Sequence, residues 1–284
     1  MSLRSETHTR WLLLFILLAA RTAAAQQPER EDPPAFNSWV ARSFLIEVQP
    51  LVEKHTGWQL PGFPKFQVVT RAEYCEATIQ EMERAMKTLA QPVPRAALLR
   101  QVKPHTEGLL GRYSAITKTI FLLPGNLQPT MRDLEVDARF TRDLVEIVAA
   151  HEMTHAFQDE KYPFLERRAA LADHDAQEAF AMLVEGHAMF VQERVAEDLK
   201  VSEAARTMAA QMAAREALSP SPSVMRRYID GRKFVQAVFE KGGLKMVQRL
   251  FENPPKNPAV IRDPELFFAM EQAVATPPPA NPEP

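Results

Sequence analysis

The chain has 284 residues, of which 46% are apolar and 25% charged, enough for a folded core and incompatible with a wholly disordered protein. Lys and Arg number 34 against 36 Asp and Glu, a formal charge of -2, so no basic excess exists for nucleic acid or an anionic membrane surface. Nine Gly stand against 23 Pro with no G-x-G-x-x-G or Walker-type segment, which argues against a nucleotide enzyme, and the single Cys75 cannot form an internal disulfide.

The first 25 residues read as an export signal: Arg4 and Arg10 precede the apolar run Trp11 to Ala20, and Ala23-Ala24-Ala25 fits an A-x-A cleavage site. Ten residues span about 15 Å as a helix, half of a roughly 30 Å hydrocarbon core. The expectation is an exported protein, periplasmic or secreted, with no stable membrane span after cleavage; the alternative is an uncleaved anchor. Residues 26–35 read as a flexible leader, and 276–284, with five prolines, as a disordered tail.

Residues 36–275 read as a single domain, with a mixed α/β lobe over 36–133 and a helical lobe over 134–275. Phe36 to Lys54 has helical spacing, with Trp39 expected in the core along with Trp58. Phe66 to Val69 is a short strand. Arg71 to Ala90 is helical until Pro92 and Pro94 stop it. Leu109 to Leu123 has the pattern of a hairpin around Thr117-Lys118. From Leu134 one helix is expected to Glu160, and a second from Asp175 through Lys200 towards Leu218, broken by Ser219 to Pro222. Helices over Gly231 to Glu240 and Leu244 to Glu252, separated by Gly242-Gly243, then lead to a Pro-spaced loop. The fold class is therefore α+β and mostly helical, with a small mixed or antiparallel sheet.

The chemistry lies in His151-Glu152-Met153-Thr154-His155. Residues four apart on a helix point the same way, so both imidazoles can bind one ion, and Glu152 stands one step round beside the open coordination position. A carboxylate there can accept a proton from water activated by zinc and pass it to a leaving amine. The competing reading makes both histidines core residues on the stripe of Leu144, Ile147 and Val148. A metzincin site would need Gly at 158 and His at 161, where the chain has Gln158 and Lys161, so the third ligand lies elsewhere. Glu185 on the next helix has Ala181, Met182, Ala188 and Met189 at three and four residues on either side, a face apolar enough to be buried. Such a carboxylate needs a cation, either a metal or a distant Arg. Tyr228 is a candidate donor to an oxyanion, with a plain packing role as its rival. Asp173-His174-Asp175 reads as a helix start, with Asp175 capping and Glu178 at N3.

His151 to Glu160 followed by Leu183-Val184-Glu185-Gly186-His187 resembles the gluzincin metallopeptidases, in which a Glu on the helix after H-E-x-x-H completes a zinc site. The segment around Glu185 looks like the E-G-H segment of one aminopeptidase family, but here 29 residues separate His155 from Glu185, a longer gap, and no G-A-M-E-N motif is present. A closer likeness is to a group of bacterial proteins sharing H-E-L-x-H-A-L-Q-D-Q, A-L-V-E-G-[DE]-A, and a Tyr-x-x-Gly-x-x-Phe-Val segment followed by Gly-Gly. This chain has His155-Ala156-Phe157-Gln158-Asp159, Met182 to Ala188, Tyr228 to Val235 and Gly242-Gly243, with His187 and Asp263 departing from the pattern. The resemblance covers roughly Leu109 to Phe268. It implies a zincin-like fold, a catalytic Zn2+ held by His151, His155 and Glu185, and the Thr119 to Leu122 strand as the sheet edge beside the cleft, where an extended peptide can add as a strand.

These readings converge on an exported zinc metallopeptidase acting on a peptide or protein substrate, with Glu152 as general base and acid. Its rivals are a non-catalytic zincin-like protein that binds a peptide or protein partner in the same cleft, and a metal-free helical scaffold. The export reading predicts that intact-mass analysis of secreted or periplasmic material finds Gln26 as the first residue; recovery of the whole apolar run in a membrane fraction would overturn it.

Overall fold

The computed structural model describes residues 36–86, 93–133, 135–137, 141–171, 173–217 and 225–275. The export segment, the leader, Pro92, Leu134, the Ser219 to Pro222 break and the proline tail lie outside the described residues. The elements in order are α1 (Ser38–Thr56), β1 (Lys65–Val68), α2 (Arg71–Met86), α3 (Arg95–His105), β2 (Gly111–Ser114), β3 (Thr119–Leu122), a 3-10 turn and α4 (Leu127–Asp133), then α5 (Thr141–Lys161), α6 (Phe164–Ala170), α7 (His174–Asp198), α8 (Ser202–Ala217), α9 (Met225–Glu252), α10 (Pro258–Arg262) and α11 (Pro264–Ala275). The protein is α+β and mostly helical. Among the described residues no helix is long and apolar enough to cross a membrane.

The sheet has three strands in the order β1-β3-β2, with β1 parallel and β2 antiparallel to β3. This corrects one expectation. The Thr119–Leu122 strand is the central strand, buried along its whole length, and the edge towards the helical lobe is β2. Four successive buried residues suit a strand covered on both sides, a pattern that does not alternate.

Helix α7 is the axis of the helical lobe. Every residue from Met182 to Gln192 is buried, as expected of a helix enclosed on all sides. It packs against α5, α9, α1 and α10. Its start is Asp173, whose carboxylate accepts from the Ala176 N–H, so Asp173 rather than Asp175 is the cap and His174 is the first helical residue. Glu178 has no capping task, because both its carboxylate oxygens accept from the Arg227 guanidinium on α9.

Helices α7 and α9 meet at two glycines. A Cβ on Gly186 would lie 2.0 Å from the Gly231 carbonyl carbon, and one on Gly231 would lie 2.0 Å from the Met182 carbonyl oxygen. Gly231 is thus interior to a helix that starts at Met225, where the sequence suggested a start. Helix α9 is broken at Gly243 (φ 64°, ψ -165°), the expected Gly-Gly stop.

Three further expectations change. The helix bearing the histidines begins at Thr141 rather than Leu134, after Glu135 in a left-handed conformation (φ 54°). The Pro-spaced end is helical, because Pro258 and Pro264 occupy first helical positions, where their missing N–H costs nothing. Trp39 is 76% exposed, off the stripe of Ala41, Phe44, Leu45, Val48 and Val52, whereas Trp58 is core.

Because the atoms met at the helix crossing are backbone, they have no rotamer into which to retreat. Gly231→Ala should cost about 3 kcal/mol, the upper end for overpacked interiors, lowering the melting temperature by several degrees. Gly62→Ala, where a Cβ meets nothing within 4 Å, is the control. Equal melting temperatures for Gly231→Ala and wild type would show that the helices are free to separate.

Candidate metal centre

His151 and His155 lie on one face of α5, and Glu185 reaches them from the middle of α7. The two Nε2 atoms are 3.1 Å apart, and Glu185 Oε2 lies 3.4 Å from that of His151 and 3.3 Å from that of His155. The three ligand atoms fall within 4.8 Å of one another, and this is the one group of His, Cys, Asp and Glu with such spacing among the described residues. His155 and Glu185 are buried, and His151 is partly open to solvent.

The opposite side of each ring is held by an amide. His151 Nδ1 is 2.9 Å from Gln192 Oε1, and His155 Nδ1 is 2.8 Å from Gln158 Oε1. An amide oxygen only accepts, so each Nδ1 carries a proton, and Nε2, which faces its neighbour, is the nitrogen that binds an ion once it is unprotonated. Glu185 Oε2 is buried and has no hydrogen-bond partner. Two imidazole nitrogens and an orphaned carboxylate oxygen are a fitting donor set for a first-row divalent cation, and the His151-His155-Glu185 cluster can hold a metal ion.

Electrostatics tell the same story. Burial opposes the charge on Glu185, yet His155 and His151 hold its carboxyl far below the usual range. Burial also opposes a charge on His155, but Glu185 and Glu152 outweigh it and lift its pKa to about 9. The cluster draws in positive charge. His187, fully buried, is pushed down to about 3 by burial and by His155, and so stays neutral.

Glu152 is buried beside this group without being one of its three members. Its Oε2 accepts from the Tyr113 N–H of β2 at 2.5 Å. That contact depends on Gly111, where a Cβ would fall 2.9 Å from Glu152 Cγ and 2.7 Å from Val148 Cγ1. Burial raises the Glu152 carboxyl above its ordinary range, with a further push from Glu185, against the pull of His151 and His155. The Tyr228 ring stacks on His151 with centroids 6.1 Å apart, and its phenol is held well above its usual pKa by burial, Glu185 and Glu152. Tyr228 is thereby kept protonated. The Tyr113 hydroxyl donates to Asp159, which also receives Lys118 and the Phe164 N–H.

Some members of the site gave no motif signal. Gln192 follows Glu185 by seven residues, two helical turns on the same face, and a polar residue at that spacing inside an apolar helix is the clue available. Gly111 and Tyr113 act through backbone and carry no such mark. Asp263 links α10 to α11, its N–H donating to the Ala259 carbonyl.

No protein-family model matches the chain, and no curated protein matches its sequence. A crystal structure from Chloroflexus aurantiacus, provisionally described as a hydrolase with a novel fold, superposes with a TM-score of 0.63 at 22% identity, over 86% of this chain and 93% of that one. The two proteins share a fold.

Glu185→Ala should abolish retention of zinc under dialysis against a mild chelator. Glu178→Ala should retain zinc while losing about 1.5–3 kcal/mol of stability, the worth of a hydrogen bond to a charged group, because the Glu178–Arg227 ion pair between α7 and α9 is lost. Zinc lost from the Glu178 variant and kept by the Glu185 variant would reverse the assignment.

Proposed function

We propose that this chain is an exported, zincin-like zinc metallopeptidase that hydrolyses peptide bonds. The observation that carries the reading is the meeting of three donor atoms from His151, His155 and Glu185 beside a separate buried carboxylate, Glu152. A purely structural metal site has no use for such a carboxylate, which favours catalysis over a binding protein with the same cleft. The hydrolase description of the Chloroflexus protein points the same way.

His151, His155 and Glu185 would hold the zinc, which when bound supplies Lewis acidity and brings the pKa of water to about 7. Glu152 takes the proton of the attacking water and returns it to the departing amine. Its raised pKa suits a group that must both accept and give up a proton near neutrality. The Tyr113 N–H holds one carboxylate oxygen, leaving Oε1 for the proton. Tyr228, protonated and beside His151, donates to the oxyanion that forms at the attacked carbonyl. Removal of the export segment delivers the chain to the periplasm or medium, where its substrates are peptides or proteins.

Glu152→Gln should retain zinc and fold while losing at least about 100-fold in turnover of denatured casein or a peptide library, the lower bound for general acid–base catalysis. Equal turnover at equal zinc occupancy would remove Glu152 from the chemistry. Absence of turnover by wild type on every peptide would favour the binding-protein reading.

A further inference from the structure

Gln158 is fully buried, three residues after His155, and every polar contact of its amide is accounted for. Its Oε1 accepts from His155 Nδ1 at 2.8 Å. Its Nε2 faces the Val184 carbonyl oxygen at 2.9 Å and His187 Nδ1 at 3.0 Å. A carbonyl oxygen cannot face an amide oxygen at that distance, so Val184 fixes which end of the amide is nitrogen. His187 Nδ1 must then accept, which places the proton of that ring on Nε2. That atom is buried without a hydrogen-bond partner, in a ring packed against Trp58 and Phe251 with centroids 5.3 Å and 5.0 Å away.

We infer that Gln158 is a positioning residue for the metal centre: clamped by Val184 and His187, its amide turns one way only and so keeps a proton on His155 Nδ1, leaving Nε2 as the ring nitrogen that faces the ion. The inference rests on the metal reading proposed above and adds to it the device that reserves one ring nitrogen of His155 for the ion. The orphaned Nε2–H of His187 finds its explanation here. Burying a donor among aromatic rings is costly, and what it secures is an acceptor at Nδ1. The clamp joins the two ligand helices, since Gln158 belongs to α5 while Val184 and His187 flank Glu185 on α7. The same hydrogen bonds therefore set the His155 ring and its distance from Glu185.

The test measures zinc affinity of the purified protein by competition with a fluorescent chelator, alongside the melting temperature of each metal-free variant. Gln158→Met, of similar volume, should weaken zinc binding about 10- to 100-fold, the usual penalty for losing the outer partner of a ligand histidine. His187→Leu removes the Nδ1 acceptor and should weaken it about tenfold, the lower end of that range. His187→Asn, whose amide oxygen can stand near the place of Nδ1, should restore wild-type affinity. Lowered melting temperatures with unchanged zinc affinity in both Gln158→Met and His187→Leu would overturn the inference and leave the metal centre standing. Failure of wild type to bind zinc would overturn both.

Discussion

Two imidazole nitrogens 3.1 Å apart, each facing a carboxylate oxygen 3.3 or 3.4 Å away, are tolerable inside a protein only with positive charge among them. An ionised carboxylate buried with no hydrogen bond at Oε2 is otherwise expensive, and Ala181, Met182, Ala188 and Met189, three and four residues to either side of Glu185, bring it no cation. The surrounding structure is arranged to keep the three atoms together. Glutamines behind both histidines accept hydrogen bonds without bringing further charge, so the electrostatic demand stays on the side where the three atoms meet.

The scaffold meets this demand by removing side chains where backbones must close on the site. Gly186 follows Glu185 immediately, and Gly231 follows Tyr228 by three residues, so the close approach of α7 and α9 at these glycines lies next to a proposed ligand and next to a proposed oxyanion donor. Paired charges on both flanks, Glu178 with Arg227 and Glu193 with Arg232, resist sliding of one helix along the other. Gly111 performs the corresponding service for Glu152, admitting β2 to within reach of its carboxylate.

Local pattern carried much of this. Helical spacing, the pair of histidines four apart and a Glu within an apolar helix could be read one residue at a time, and the structure brings those three side chains together. What depends on long-range pairing was not legible. A four-residue run such as Thr119 to Leu122 looks the same as an edge or as a centre, and only the arrival of Lys65–Val68 on its far side decides. The partner of Glu178 is 49 residues away on a helix whose start the pattern misplaced, so a capping role looked sufficient. The prolines that follow Glu252 have the spacing of a loop, although Asn257 before Pro258 is a helix-start signal in its own right.

The strand order also bears on how an extended chain could lie in the cleft. Leu110 bonds to Leu123, so in the antiparallel pairing of β2 with β3 the backbone groups of Arg112 and Ser114 face β3, while those of Gly111 and Tyr113 face outwards. Of these outward groups the Tyr113 N–H is already given to Glu152. A peptide adding to this edge thus finds the Tyr113 carbonyl as an acceptor and must compete with the proposed base for the N–H. The edge strand and the acid–base group are one unit: displacing Glu152 from Tyr113 to complete a ladder would free the carboxylate from the hydrogen bond that orients it. Pairing through the Tyr113 carbonyl alone leaves that orientation intact and, on the proposed peptidase reading, would set the extended chain alongside Glu152.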